Sequence, residues 1–166
     1  AKTTFTPQVL GRIGSFAALY HLTEFQNPVL VSSTDNVGTK VKIATLAKAW
    51  ECIGKDVVNQ SINDIITSGA RPLFFLDYIG MERLIPEQVG DLVGGMAQAC
   101  RDAGCSLIGG ETAELPGMYV GQGLDLAGFV VGAVEREALL TGENIEEGDV
   151  LIALPSNGLH TNGYSL

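Results

Sequence analysis

The sequence predicts an α/β sandwich, a mixed sheet covered on one face by helices. Three observations carry that expectation. Four apolar runs of strand length, at residues 28–32, 73–79, 106–108 and 125–134, are separated by turn residues. Two longer segments, 53–68 and 86–103, place apolar side chains at helical spacing. The order along the chain is strand, helix, strand, helix, strand, strand, which is that of helices packed on a sheet. The strands read as apolar on both faces, whereas these helices can cover only one. A second cover is then required, and a second copy of the chain or a further domain could supply it.

The elements follow in order. Residues 1–7 are polar and irregular. Residues 9–22 form a glycine-interrupted segment of modest helical character, with Phe16, Leu19 and Tyr20 as its packing residues. Residues 28–32, Pro-Val-Leu-Val-Ser, read as a short buried strand that ends in a polar loop over 33–40. In the first helix Val57, Val58, Ser61, Ile62, Ile65 and Ile66 make the apolar stripe. Asp56, Gln60, Asn63, Asp64 and Thr67 face the other way. Gly69 stops that helix from its C′ position and Pro72 prevents its resumption. Leu73 opens the next buried strand. Pro86 suits the first turn of the second helix, Val89, Leu92, Val93, Met96, Cys100 and Ala103 form its stripe, and Gly104 ends it. Residues 149–154 read as a last short strand before a Gly/Asn/Ser-rich tail.

The chain has 166 residues, enough for one domain that buries its core without staples. A 46% apolar and 17% charged composition is that of a globular protein. The formal net charge of -9 excludes a basic footprint for nucleic acid. It also means that any phosphate site needs a divalent cation between carboxylates and ligand. The three cysteines form no Cys-x-x-Cys pair, so neither a disulfide framework nor a thiolate metal site is indicated. Cys100 and Cys105 read as core. No signal peptide and no long apolar run is visible, so no membrane partner is expected and the cytoplasm is the expected compartment.

Four polar clusters sit beside these elements. The first, Thr34-Asp35-Asn36-Val37-Gly38-Thr39-Lys40, combines a hydroxyl, a carboxylate, a glycine and a lysine, as a metal–phosphate site does; a polar hairpin turn has the same composition. It lacks P-loop spacing. The second is Asn63-Asp64, where a carboxylate beside Ile62, Ile65 and Ile66 is either a solvated helix residue or a group needing a partner or metal. The third, Gly109-Gly110-Glu111, follows the apolar run 105–108 and is itself followed by Glu114 and by the turn Pro116-Gly117. Glycines there admit close approach of an oxyanion or nucleotide, but a plain glycine turn is the alternative. The fourth is His160-Thr161-Asn162, a loop histidine that could bind substrate or move a proton. His21 reads as structural. Three acids on three elements, Asp35, Asp64 and Glu111, together suit Mg²⁺ held beside substrate phosphates, and so phosphoryl transfer.

These clusters carry a resemblance. Asp64-Ile65-Ile66-Thr67-Ser68-Gly69-Ala70-Arg71-Pro72 resembles the Asp-x4-Gly-Ala-x-Pro signature of the ATP-dependent aminoimidazole ribonucleotide synthetase superfamily. Its other branches include thiamine-monophosphate kinase, selenophosphate synthetase, formylglycinamidine ribonucleotide synthetase and a hydrogenase maturation protein. Residues 72–78, 109–119 and 158–166 are similar to the aminoimidazole ribonucleotide synthetase family itself. The resemblance covers nearly the whole chain. It implies ATP-dependent closure of formylglycinamidine ribonucleotide to aminoimidazole ribonucleotide, with ADP and phosphate released. Asp35, Asp64 and Glu111 would bind Mg²⁺ and ATP phosphates. Thr34, Gly38, Lys40, Gly109 and Gly110 would line the nucleotide, and Asp64, Asn63 and His160 would serve the reaction. Asn162 and Glu114 would face the substrate. The resemblance further implies a homodimer that joins two sheets into a barrel, with residues 1–158 as the ATP-binding and dimerising domain. Residues 159–166 would then begin the linker to a C-terminal domain. The family also carries a glycine- and lysine-bearing segment ahead of the position of Ala1. Asn36 stands where the family pattern has glycine. The alternatives are a sister ATP-dependent enzyme, or a nucleotide-binding and dimerising module without turnover.

Overall fold

The computed structural model describes residues 1–119 and 123–166. Four strands form one mixed sheet in the order β3 (Pro28–Asn36), β6 (Leu124–Glu135), β4 (Arg71–Met81), β5 (Ser106–Glu114). Strand β6 runs antiparallel to both neighbours, whereas β4 and β5 are parallel and joined by a helical crossover. Helices α2 (Trp50–Ile66) and α3 (Pro86–Asp102) cover one face, and the short α1 (Lys40–Ala47) precedes them. A two-stranded hairpin, β1 (Val9–Leu10) with β2 (Leu19–Tyr20), stands apart from the sheet. Among the described residues no helix is long and apolar enough to cross a membrane.

The core lies between the helices and the sheet. From α2 it takes Ile53, Val57, Val58 and Ile65, from α3 Leu92 and Met96, and from the strands Phe75, Ile79, Leu107, Leu126 and Val130, all fully buried. Each side chain so buried contributes about 1.5–3 kcal/mol of transfer free energy. The helices cross at two glycines. A Cβ on Gly54 would meet the Leu92 carbonyl, and one on Gly95 the Glu51 carbonyl, so backbone packs directly on backbone. Cys100 and Cys105 are core residues, as expected. A hydrogen bond with Cys105, together with burial, pushes the Cys100 thiol far above its usual range and keeps it protonated.

Several local expectations are corrected. Residues 9–22 are a hairpin, because Gly11 and Gly14 take φ of 116° and 99°, which no right-handed helix accommodates. Phe16 and Leu19 are exposed there; of the three expected packing residues Tyr20 alone packs, its ring 5.5 Å from Phe74. Strand β3 continues through the segment read as a polar loop, with Asp35 paired to Gly128. It is an edge strand with one open face rather than a buried one. Helix α1 was not legible, and β5 runs through both glycines to Glu114. Residues 149–154 form no strand. Val150, Leu151, Ile152 and Leu154 remain 86–95% exposed with no neighbouring strand to pair with. His21 is exposed, outside the core.

The sheet face away from the helices is open over part of its area. Val29 and Val31 pack toward the core, so the alternate β3 residues point outward. Leu30 is 62% exposed and Phe129 38% exposed on that face.

Candidate functional site

Strand register places the expected site residues in rows across the sheet. Asp35 pairs with Gly128, Gly128 with Asp77, and Asp77 with Gly110. The neighbouring rows run Thr34–Phe129–Leu76–Gly109 and Asn36–Ala127–Tyr78–Glu111. The rows join the first and third polar clusters, but at opposite edges. Three strand spacings separate Asp35 from Glu111, which is about 14 Å. Among the described residues no three acids, histidines or cysteines converge on one metal position.

The β3 edge gathers two of the clusters. Ser33 Oγ donates to Asp64 Oδ2 at 2.6 Å, which places the α2 carboxylate against the strand. Asp35 lies two residues on from Ser33, on the same face. Its Oδ1 accepts from the Asn36 backbone N–H at 2.8 Å, and Gln60 Nε2 donates to the Asn36 carbonyl at 2.8 Å. Asn36 is extended strand, so the position needs no left-handed backbone; Gly38, two residues on, supplies it with φ of 65°. The Thr34 hydroxyl donates to the Gly128 carbonyl at 2.9 Å, so the sheet already uses that group. Asn63 is exposed on α2 and makes no bond among the described side chains.

Lys40 opens α1 and pairs with Asp56 of α2 at 2.5 Å. Its ammonium also stands 5.6 Å from the centroid of the Tyr164 ring, and the Thr39 and Ser165 hydroxyls are 2.8 Å apart. The tail therefore returns to the first turn of α1 through Tyr164 and Ser165. His160 Nε2 shares a hydrogen bond with Asn157 Oδ1 at 2.8 Å, and Asn162 is exposed nearby in sequence. Glu114 serves a local purpose in this chain, accepting the Leu84 backbone N–H at 2.7 Å and bracing the turn before α3.

The β5 edge holds a cleft of about 680 Å³. Arg12 and Phe16 of the hairpin loop form one wall, Leu76 and Gly109 another, and Gly110 and Glu111 the open edge. Sequence reasoning missed two contributors. One is the loop 12–18, whose signal was an arginine between two glycines. The other is Asp77, a lone carboxylate inside the apolar run 73–79, which is itself a sign of function. Burial pushes the Asp77 carboxyl up to about 6, with a bond from its own backbone opposing the rise. A Cβ on Gly110 would collide with the Asp77 carboxyl and backbone carbonyl, so only glycine fits beside that group.

Residues 14–134 match the sequence profile of the family described as "AIR synthase related protein, N-terminal domain". Among curated relatives, the phosphoribosylformylglycinamidine cyclo-ligase of Geobacillus thermodenitrificans (strain NG80-2) is 56% identical, over 99% of this chain and 48% of its own length. That of Alkaliphilus oremlandii (strain OhILAs) is 52% identical, over 99% of this chain and 49% of its own. The chain thus spans about half the length of the curated relatives it matches. Among solved structures, hydrogenase maturation protein HypE in complex with ATP aligns at a TM-score of 0.61, with 18% identity, over 89% of this chain and 41% of its own. Thiamine-monophosphate kinase from Stenotrophomonas maltophilia K279a aligns at 0.58, with 21% identity, over 84% of this chain and 41% of its own. These two distant likenesses show a shared fold.

Proposed function

Because the chain belongs to the AIR synthase related family, as its N-terminal domain, we propose that it is the ATP-binding half of a ligase that closes formylglycinamidine ribonucleotide to aminoimidazole ribonucleotide. The observation that carries this reading is 52–56% identity, along essentially the whole chain, to relatives named as that cyclo-ligase. ATP phosphorylates the formyl oxygen and releases ADP. An internal amidine nitrogen then attacks the same carbon and gives up its proton, the ring closes, and the oxygen leaves as phosphate. Phosphorylation makes a poor leaving group good, and holding the nitrogen near the carbon lowers the barrier further.

The residues divide as follows. Thr34, Gly38, Lys40, Gly109 and Gly110 line the nucleotide. Asn63, His160 and Asn162 face the substrate or its activated oxygen, and Glu114, at the end of β5, is the further substrate-facing residue. Asp35, Asp64 and Glu111 form an all-oxygen donor set of the kind Mg²⁺ takes, split between the two sheet edges. Within one chain the set is incomplete at either edge, and that split favours a homodimer in which a second copy brings its β5 edge to this β3 edge. The exposed Leu30 and Phe129 on the open sheet face give that copy an apolar surface to cover. When bound, the cation supplies charge neutralisation on the triphosphate. Residues 1–158 serve as the ATP-binding and dimerising domain, and 159–166 lead toward a second domain in the cytoplasmic full-length enzyme. The test is the full-length protein with ATP, Mg²⁺ and formylglycinamidine ribonucleotide. Aminoimidazole ribonucleotide and ADP should accumulate in equal amounts, and the reading fails if ATP and substrate are returned unchanged.

A further inference from the structure

Helix α2 turns one polar stripe toward the segment that runs from β3 into α1. Asp56, Gln60 and Asp64 stand four residues apart, so they share a face of the helix. Each holds one residue of that segment. Asp64 accepts from the Ser33 hydroxyl at 2.6 Å, Gln60 donates to the Asn36 carbonyl at 2.8 Å, and Asp56 pairs with Lys40 at 2.5 Å. Asp64 belongs to the metal–phosphate group and Gln60 braces the backbone of the segment, whereas Asp56 has no part in the reaction proposed above. Its Oδ2 is buried and, among the described residues, accepts no hydrogen bond from any other group. The Lys40 ammonium is therefore what compensates its charge, and the buried carboxylate is a fixed anchor rather than a mobile surface partner.

Two groups fix the position of that ammonium. One is Asp56. The other is the Tyr164 ring, whose centroid is 5.6 Å away and whose neighbour Ser165 has its hydroxyl 2.8 Å from that of Thr39. An ammonium carries three N–H donors, and a single carboxylate oxygen engages one of them. The Lys40 side chain keeps 18% of its surface exposed, so the pair is not sealed from a ligand. A free lysine holds its charge on a flexible four-carbon stem, and a ligand that captures it bears the cost of ordering that stem. A lysine already held in place spares the ligand that cost. We propose that Asp56 is a positioning residue for the nucleotide: it holds the Lys40 ammonium so that the N–H groups not spent on the carboxylate meet a phosphate oxygen of ATP. This rests on the nucleotide-lining role proposed above for Lys40. Asp56 itself touches neither ATP nor the reacting atoms. A carboxylate that merely competed with phosphate for the lysine would give the reverse response to its removal.

The test measures Mg-ATP affinity by calorimetry on the full-length protein, for wild type, Asp56→Asn, Lys40→Met and the double variant. Asparagine keeps the shape of the side chain and removes the charge that holds the lysine. The Kd for Mg-ATP should rise about tenfold or more in Asp56→Asn. In the Lys40→Met background the same change should move the Kd by less than about twofold, because no ammonium is left to position. An Asp56→Asn protein that binds Mg-ATP as tightly as wild type, or more tightly, overturns the assignment. So does a loss of equal size in both backgrounds, since that marks a carboxyl acting through the fold. A Lys40→Met protein with wild-type affinity takes Lys40 away from the nucleotide and overturns the assignment with it. If Asp56→Asn fails to fold, Asp56→Glu, which keeps the charge and displaces it by one methylene, decides by the same comparison. Its Kd should rise with Lys40 present and not in Lys40→Met, and any other pattern overturns the assignment. Wild-type protein that binds Mg-ATP but makes no aminoimidazole ribonucleotide refutes the proposed ring closure, while the affinities still decide the role of Asp56.

Discussion

Replacing Asp77 with asparagine should stabilise the ligand-free protein at neutral and alkaline pH. In the folded chain the carboxyl titrates at about 6, against 3.8 for the ordinary group, because burial disfavours its charge. The folded state thus holds this proton more tightly than the unfolded state does. Below about pH 4 both states are protonated and the residue contributes no penalty. Between about 4 and 6 the unfolded state ionises freely while the folded state resists, so stability falls as the pH rises, and above about 6 the penalty is complete. A rise of about two pH units, at about 1.4 kcal/mol each, makes that penalty roughly 3 kcal/mol. Asparagine has nearly the same shape and no charge to desolvate. At about pH 8 the variant should therefore gain up to about 3 kcal/mol over wild type, or roughly 10 °C in melting temperature for a domain of this size. Denaturant unfolding of both proteins at about pH 8 and about pH 4, without nucleotide or substrate, measures it. A variant no more stable than wild type at the higher pH, or an advantage that persists undiminished at the lower one, refutes the reasoning.

Other outcomes follow from the same geometry. Gly95→Ala should cost about 1–3 kcal/mol in unfolding experiments, because its methyl group meets the Glu51 carbonyl and forces α2 and α3 apart. Asp64→Asn should abolish turnover while unfolding near wild type, since the carboxylate is exposed and bonded only to Ser33 through its side chain; a variant that is active but severely destabilised contradicts that. Leu30→Glu should shift the sedimentation of the protein from dimer to monomer, because it places a charge on the open sheet face; an unchanged sedimentation coefficient would place the interface elsewhere.

How much of this was legible varies with the physical signal. Helices α2 and α3 were readable because Val57, Ile62 and Ile65, and Leu92, Met96 and Cys100, recur at one period over about four turns. The bounds of β3 and β5 were not, because Ser33 to Asn36 and Gly109 to Glu111 are polar or glycine and resemble loops. Pairing with Val130 to Ala127 on one side, and with Leu76 to Tyr78 on the other, makes them strand. Tertiary pairing overrode local composition there. Residues 150–154 show the converse, with strand composition and nothing to pair with. The acids Asp35, Asp64 and Glu111 could be picked out as oxygen ligands, but their separation across the sheet depends on strand order, which no local pattern contains. Asp77 was hidden by the apolar run that carries it.

Isotope transfer tests the proposed activation of the formyl oxygen by ATP most directly. Formylglycinamidine ribonucleotide labelled with ¹⁸O at the formyl position would be converted by the full-length protein with ATP and Mg²⁺. The released phosphate should carry one ¹⁸O per aminoimidazole ribonucleotide formed. Product that forms while the phosphate stays unlabelled would contradict the account.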